Sequence, residues 1–410
     1  MNTVGYHQGD QILAQLPAEN SLRCAVVAGA ITLPLGFLVI LVSCWQISID
    51  EPPTVLADFM VFWTAAQFMI EGTPLAALDP VKLTERMLVD PEGWLPFAYP
   101  PAFLVFLAPF GFAPFVLAWP LFSAGSAILL LFSLRPWCGA SRAIWISAAF
   151  APAIFPALVL GQTTLLWIAI LLFALSALRH GNGIAAGILI GLLTFKPQLG
   201  LMLPIALIAA GAWRTVLWAS ITALLMLVLP LFWLGFDYIP TLINSVHAHF
   251  GMVARPEDTP HRMMSISAFL LGIGIQIEMT TGLQWISTLG VALIVWIAWQ
   301  SNHVGADARD AILLAAIPLS TPYLWYYELV IPAAALLFLL RAGRLPKGVF
   351  GGSLFLGLWL GGCLMIMIEL IAPLAEFPTR FIFVPLIVAL FAQAAMSGLG
   401  KKRMLGGEQA

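Results

Sequence analysis

Apolar segments run through this chain almost end to end, at residues 24–46, 102–134, 143–160, 163–178, 213–236, 282–300, 348–371 and 380–398. Most have the length a helix needs to cross a hydrocarbon core of about 30 Å. Backbone N–H and C=O groups in lipid must be satisfied within the chain, so these runs predict an all-α bundle. Hydrophobic residues make up 61% of the 410 and charged residues only 9%, whereas soluble domains carry about a quarter. The chain reads as a single polytopic membrane domain, residues 1–410, with no linker between units.

Two further apolar regions are interrupted, residues 183–211 by Lys196-Pro197 and residues 309–341 by Pro318 and Pro322. Charge decides how they run, because Lys and Arg collect on the cytoplasmic side. If both regions fold back as hairpins, Arg23, Arg135, Arg142, Arg179, Arg214, Arg309, Arg341, Arg344, Lys347, Lys401, Lys402 and Arg403 share one side, twelve of the eighteen Lys and Arg. The other side then holds Lys82, Arg86, Lys196, Arg255, Arg262 and Arg380 with fifteen of the twenty acids. An unbroken helix over 183–211 would separate Arg179 from Arg214, so the hairpin reading is preferred. Each arm of that region is about 20 Å long at 1.5 Å per residue. The bend therefore dips into the membrane and lines a protein cavity. The expected architecture is a bundle of about 10–12 transmembrane helices, broken or re-entrant ones included. Both termini are cytoplasmic, residues 1–22 being a tail, and residues 50–100 and 237–262 form outer loops.

This topology gathers the polar exceptions on one side. Asp58 opens the outer loop, Tyr99-Pro100-Pro101 closes it, and Gly161-Gln162 makes a tight turn. The Lys196-Pro197-Gln198 bend, the 237–262 loop with His247, His249, Arg255, His261 and Arg262, and Tyr323 to Glu328 join them. Bland readings stand beside functional ones. Asp58 suits the N-cap of a helix starting at Phe59, and Lys196 can snorkel to the interface. Proline after Tyr99 suits a first helical turn. Tyr323, Trp325, Tyr326 and Tyr327 suit an interfacial aromatic belt, but Glu328 has no place in one. An ionisable group embedded in a membrane is a functional candidate by default. The loop helix carries Phe62, Ala65, Ala66 and Met69 at helical spacing, which suits a helix lying on the membrane surface over the bundle.

Other chemistries find little support. Cys24, Cys44, Cys138 and Cys363 have no metal spacing and read as small hydrophobes without a disulfide. His247 and His249 share a face only on a strand, with no third ligand nearby, so no metal is expected. The net charge of −2 says nothing about nucleic acid, but no basic cluster of the required density appears, so none is expected as a partner. No glycine loop for a nucleotide is present, and no cofactor is expected.

The motifs occur in a characteristic order: D-F-x-x-F-W-x-A-A at 58–66, G-T-P-L at 72–75, A-Y-P-P at 98–101, G-Q-T-T at 161–164, F-K-P-Q at 195–198 and T-P-Y-L-W-Y-Y-E at 321–328. This set, over roughly residues 25–395, resembles glycosyltransferase family 87. The resemblance implies a GT-C-like fold and a cell-membrane mannosyltransferase with an extracytoplasmic active site. It also implies a polyprenyl-phosphate sugar as donor and a lipid or glycan as acceptor. An acid in the first outer loop is the general base in such enzymes, and Asp58 matches it. Tyr327-Glu328 stands where an aspartate or histidine is more usual. An inverting transfer needs one base and positive charge near the leaving phosphate. Lys196 is the first candidate for the phosphate and Arg262 the reserve; Tyr99, Gln162, Tyr323, Tyr327, Glu328 and His249 complete the expected substrate site. Methionine at 196 keeps side-chain volume and is expected to spare folding.

Broken helices with an embedded lysine also fit a secondary transporter, although no internal repeat relates the halves. A non-catalytic subunit of envelope assembly is the third reading. The topology itself is testable. With an impermeant thiol reagent on whole cells, Glu92→Cys is expected to react and Gly343→Cys to be protected; labelling of residue 343 but not residue 92 reverses the orientation.

Overall fold

The computed structural model describes residues 18–55, 57–88, 96–138, 151–253, 262–346, 348–371 and 379–400. Among them the regular structure is helical, apart from one two-residue antiparallel bridge between Met263 and Trp325. The helices are α1 (Ala18–Ser48), α2 (Phe59–Ile70), α3 (Pro80–Glu85), α4 (Pro101–Gly111), α5 (Phe115–Cys138), α6 (residues 151–159), α7 (Thr164–Arg179), α8 (Gly183–Leu192), α9 (Met202–Ala209) and α10 (Trp213–Val228). They continue as α11 (Leu231–Leu234), α12 (Tyr238–Val253), α13 (Ile266–Gly272), α14 (Ile277–Gln300), α15 (Ala306–Ser320), α16 (Val330–Arg341), α17 (Gly348–Ile371) and α18 (Arg380–Leu399). Among the described residues, six spans are long and apolar enough to cross a membrane: α1, α5, α10 running on through α11, α14, α17 and α18. On α14, Trp285, Ile286, Leu289 and Leu293 remain exposed, an apolar stripe of the kind a lipid-facing helix presents. The protein is an all-α polytopic membrane protein.

The interrupted regions fold back. Gly183, Gly187 and Gly191 of α8 lie against Thr215, Thr215 to Ala219, and Thr222 of α10, respectively. That register is parallel, so the chain between the two helices must go up and return. The region 309–341 does the same, since Arg341 Nε lies 3.3 Å from Asp307 Oδ1. Arg179 also bonds Asp307, at 2.6 Å, and Asp310, which closes a charge cluster at the base of both hairpins.

Breaking a helix in an apolar bundle frees carbonyls that need new donors. At the first of these breaks, in residues 183–211, Leu193 O accepts from Trp167 Nε1 at 3.2 Å and Lys196 N at 3.1 Å. At the second, Leu319 O accepts from Gln284 Nε2 at 3.1 Å and Ser320 O from Thr288 Oγ1 at 3.0 Å, both from α14. Polar side chains on that helix are thus consumed by the break beside it.

Two expectations are corrected. The apolar run 102–134 is not one span but α4 and α5, turned at residues 112–114 by Gly111 and Pro114. An apolar turn is tolerated there because Gly111 O and Ala113 O accept from Gln67 Nε2 and Trp63 Nε1 of α2. Nor does α2 lie on the surface over the bundle. Phe59, Met60, Val61, Phe62, Thr64, Ala65, Ala66 and Phe68 are all buried, so α2 is packed on nearly every side while Met69 is only half-buried.

The parallel glycine seam lets two helix backbones approach closely. A Cβ on Gly187 would stand 2.6 Å from Thr215 O and from Trp218 Cβ, whereas one on Gly282 meets nothing within 4 Å. Gly187→Ala is expected to cost about 1–3 kcal/mol by overpacking and to lower the melting temperature in detergent. Gly282→Ala, on α14, serves as the control and should melt like wild type.

Candidate functional site

Three hairpin apices and the start of α2 converge. The first is the turn between α6 and α7, the second the bend between α8 and α9, and the third the segment between α15 and α16. The turn approaches α2 most closely. Phe59 N donates to Leu160 O at 3.0 Å, and Gly161 has φ +64° with room for no side chain, since a Cβ would stand 2.6 Å from Phe59 Cβ. Only glycine satisfies both conditions.

That contact places Gln162 beside Asp58, with Nε2 2.5 Å from Asp58 Oδ2. The N-cap reading of Asp58 is thereby corrected. Its backbone is already helical (φ −58°, ψ −23°) and its side chain makes no cap bond. Burial raises the Asp58 carboxyl above the ordinary carboxylate range; the Gln162 bond and the charges of Arg262 and Lys196 oppose that.

At the second apex, Lys196 Nζ lies 3.0 Å from Glu328 Oε1 and 3.0 Å from Thr164 Oγ1. It stands 5.1 Å from the centre of the Tyr327 ring, a cation–π distance. Lys196 is 3% exposed and Glu328 1%, so this ion pair is removed from water. Glu328 Oε2 also accepts from Trp325 N at 2.9 Å, which fixes the carboxylate at the third apex. Lys196 therefore does not snorkel.

The same segment holds Arg262. Met264 N donates to Leu324 O at 2.7 Å and Tyr326 N to Arg262 O at 3.2 Å, flanking the Met263–Trp325 bridge. Tyr326 and Tyr327 are buried and Trp325 stacks on Tyr327 at 6.2 Å, so these rings face inward and do not form a belt. Tyr99 lies close enough to Asp58, Lys196 and Glu328 for their charges to act on its phenol, and Tyr323 close enough to Asp58 and Glu328. The Tyr99 carbonyl accepts from Tyr238 Oη of α12 at 3.1 Å.

Asp58, Tyr99, Gln162, Lys196, Arg262, Tyr323, Tyr327 and Glu328 are thus brought together from six separate stretches of sequence. The side chain of His249, with Arg255 and His261, lies outside the described residues. Among those described, no three His, Cys, Asp or Glu side chains converge on a metal-sized site. Thr164 was missed as a partner of Lys196. Its place in the G-Q-T-T motif was visible, but nothing in the sequence aims its hydroxyl at residue 196.

An aromatic path joins the loop helix to the bend. Phe62 meets Tyr99 and Phe103 edge-on at 5.2 and 5.4 Å, and Phe103 stacks on Phe195 at 5.6 Å. Such pairs add about 0.5–1.5 kcal/mol each beyond area burial, so Asp58 and Lys196 sit on one rigid frame.

The sequence model of glycosyltransferase family 87 matches residues 97–322, just over half of the chain. It spans Tyr99, Gln162, Lys196 and Arg262, and Asp58 precedes it. No curated protein and no solved structure matches the chain.

The buried pair changes what Lys196→Met should do. Neutralising Lys196 alone strands the Glu328 charge, and breaking such a pair costs about 3–5 kcal/mol. The single variant should therefore melt well below wild type, against the expectation that folding is spared. Lys196→Met with Glu328→Gln should recover most of that loss, measured by thermal unfolding in detergent.

Proposed function

This chain belongs to glycosyltransferase family 87, and from that premise we propose a specific transfer for this membrane glycosyltransferase. The donor is a polyprenyl-phosphate sugar, with a mannose-like hexose, and the acceptor is a hydroxyl of a lipid or glycan. Transfer occurs with inversion at the extracytoplasmic face of the cell membrane, in a GT-C-like bundle. The observation that carries this is the carboxylate of Asp58, held by Gln162 and facing the charges of Lys196 and Arg262, while the second carboxylate at the apices, Glu328, is taken up by Lys196.

The chemistry follows from those groups. The acceptor oxygen attacks the anomeric carbon from the face opposite the phosphate, and its proton passes to Asp58. The bond from the anomeric carbon to the phosphate oxygen breaks, and that oxygen leaves with the electron pair. A phosphate leaves as an anion without a general acid, provided positive charge is arranged near it. Arg262, whose planar fork matches phosphate oxygens, takes the leading part, and Lys196, paired with Glu328, contributes to the field. Tyr99, Tyr323 and Tyr327 offer hydroxyls to orient the sugar.

Sidedness is supported by charge. Arg179, Asp307, Asp310 and Arg341 cluster at the base of the hairpins, while the polar apices lie at the other end of α7 and α16. By the positive-inside rule the base faces the cytoplasm and the apices face out. A lipid-linked donor is available there and a nucleotide sugar is not.

Asp58→Asn is the decisive variant. Asparagine Oδ1 still accepts from Gln162, so the melting temperature should stay near wild type. Turnover of radiolabelled polyprenyl-phosphate mannose should fall by about 10²–10⁴-fold, the contribution of a general base. Turnover at the wild-type rate removes Asp58 from the chemistry and directs attention to Glu328.

A further inference from the structure

The bond between Gln162 and Asp58 does more than add polarity to the site. Gln162 is 4% exposed and its amide has a defined orientation. Oε1 accepts from Thr163 N at 3.3 Å, so the amide NH₂ is the end turned toward Asp58 Oδ2. The turn carrying it is fixed by a backbone bond from Phe59, the residue after Asp58, and by a glycine that packs directly under Phe59. Asp58 and Gln162 are 104 residues apart, yet backbone and side chain both join them. Asp58 itself makes no cap bond, so its carboxylate is not oriented by its own helix.

We propose that Gln162 is the positioning residue for the transfer: its amide grips Oδ2 of Asp58, and Oδ1 is thereby presented to the acceptor hydroxyl. This rests on the reading of Asp58 as the base. It differs from a role in binding sugar hydroxyls, because Gln162 then acts through Asp58 and not on the substrate. A donor to the ionised carboxylate also favours the ionised form, which a base near burial needs. The other groups whose charge acts on Asp58, or on which Asp58 acts, are Lys196, Arg262, Tyr99, Tyr323 and Tyr327, and Glu328 stands behind Lys196 as its ion-pair partner. Changing residue 162 leaves all of them in place, so a shift in the titration of Asp58 reports the lost bond.

The test uses the full-length protein in detergent. Infrared difference spectra across a pH series follow the Asp58 carboxyl, with Asp58→Asn as the blank, and so need no substrate. Gln162→Leu is expected to move the midpoint up by about one pH unit, the size of one modest charge-assisted contact. With radiolabelled polyprenyl-phosphate mannose as donor and host membrane lipids as acceptor, kcat should fall about 10²-fold, as expected for a misplaced catalytic group. The acidic limb of the rate profile should follow the infrared midpoint while KM stays near wild type. Gln162→Glu is the nearly isosteric second variant if leucine impairs folding. Its carboxyl beside Asp58 should also raise the midpoint, since two carboxylates in one site resist double ionisation. A midpoint unmoved in the folded variants, or a rise in KM with kcat retained, overturns the positioning role. Retained turnover in Asp58→Asn alongside a shifted midpoint in Gln162→Leu would instead overturn the base assignment alone.

Discussion

Two opposite charges buried in an apolar bundle are stable only together, and the contact between Lys196 and Glu328 is where the architecture closes. Each sits at the apex of a chain that has turned back before completing a crossing. Isolated, either charge would cost several kcal/mol of desolvation. Paired at 3.0 Å, with Thr164 and the Trp325 amide taking further bonds, they hold the apices of two hairpins against a third. The broken helices are tolerable for the same reason, because their freed carbonyls are met by Trp167, Gln284 and Thr288 from neighbouring helices.

Around that centre the structure separates a part that binds charge from a part that only packs. The glycine seam of α8 on α10 and the aromatic path from Phe62 to Phe195 are apolar and rigid. They carry the apices, and of their residues only Tyr99, which meets Phe62, also belongs to the site. The Arg179–Asp307–Arg341 cluster does the corresponding work at the other end of α7 and α16, tying both hairpin bases together. The site is therefore bounded above by a docked loop helix and below by helices whose far ends are fixed.

Much of this was legible in the sequence because lipid makes polar residues conspicuous. The prolines at 197, 318 and 322 and the distribution of arginines were enough to predict both hairpins. The polar exceptions in an apolar chain were enough to name the residues that converge. What was not legible is pairwise and long-range. No local rule tells Lys196 to choose Glu328, 132 residues away, over a phosphate or the interface. Asp58 carries the residue type and position of an N-cap, and only the approach of the 160–162 turn draws its side chain elsewhere. The run 102–134 looked continuous because its turn is apolar; the donors that make such a turn possible, Trp63 and Gln67, belong to another segment.

The length of α7 sets how deep the site lies. From Arg179 at the hairpin base to Thr164 beside Lys196 the helix rises about 22 Å, against a hydrocarbon thickness of about 30 Å. Any tilt shortens that further. With the base anchored at one interface, Lys196 stops short of the opposite headgroups by about 8 Å. An acceptor whose hydroxyl lies flush with the headgroups does not reach that depth unless the bilayer thins locally. For the transfer proposed above, depth would act as a sieve. It would admit acceptors with a sugar that can be lowered into the bundle on its own linkage, and it would keep the reacting carbon away from bulk water, which otherwise competes for the donor.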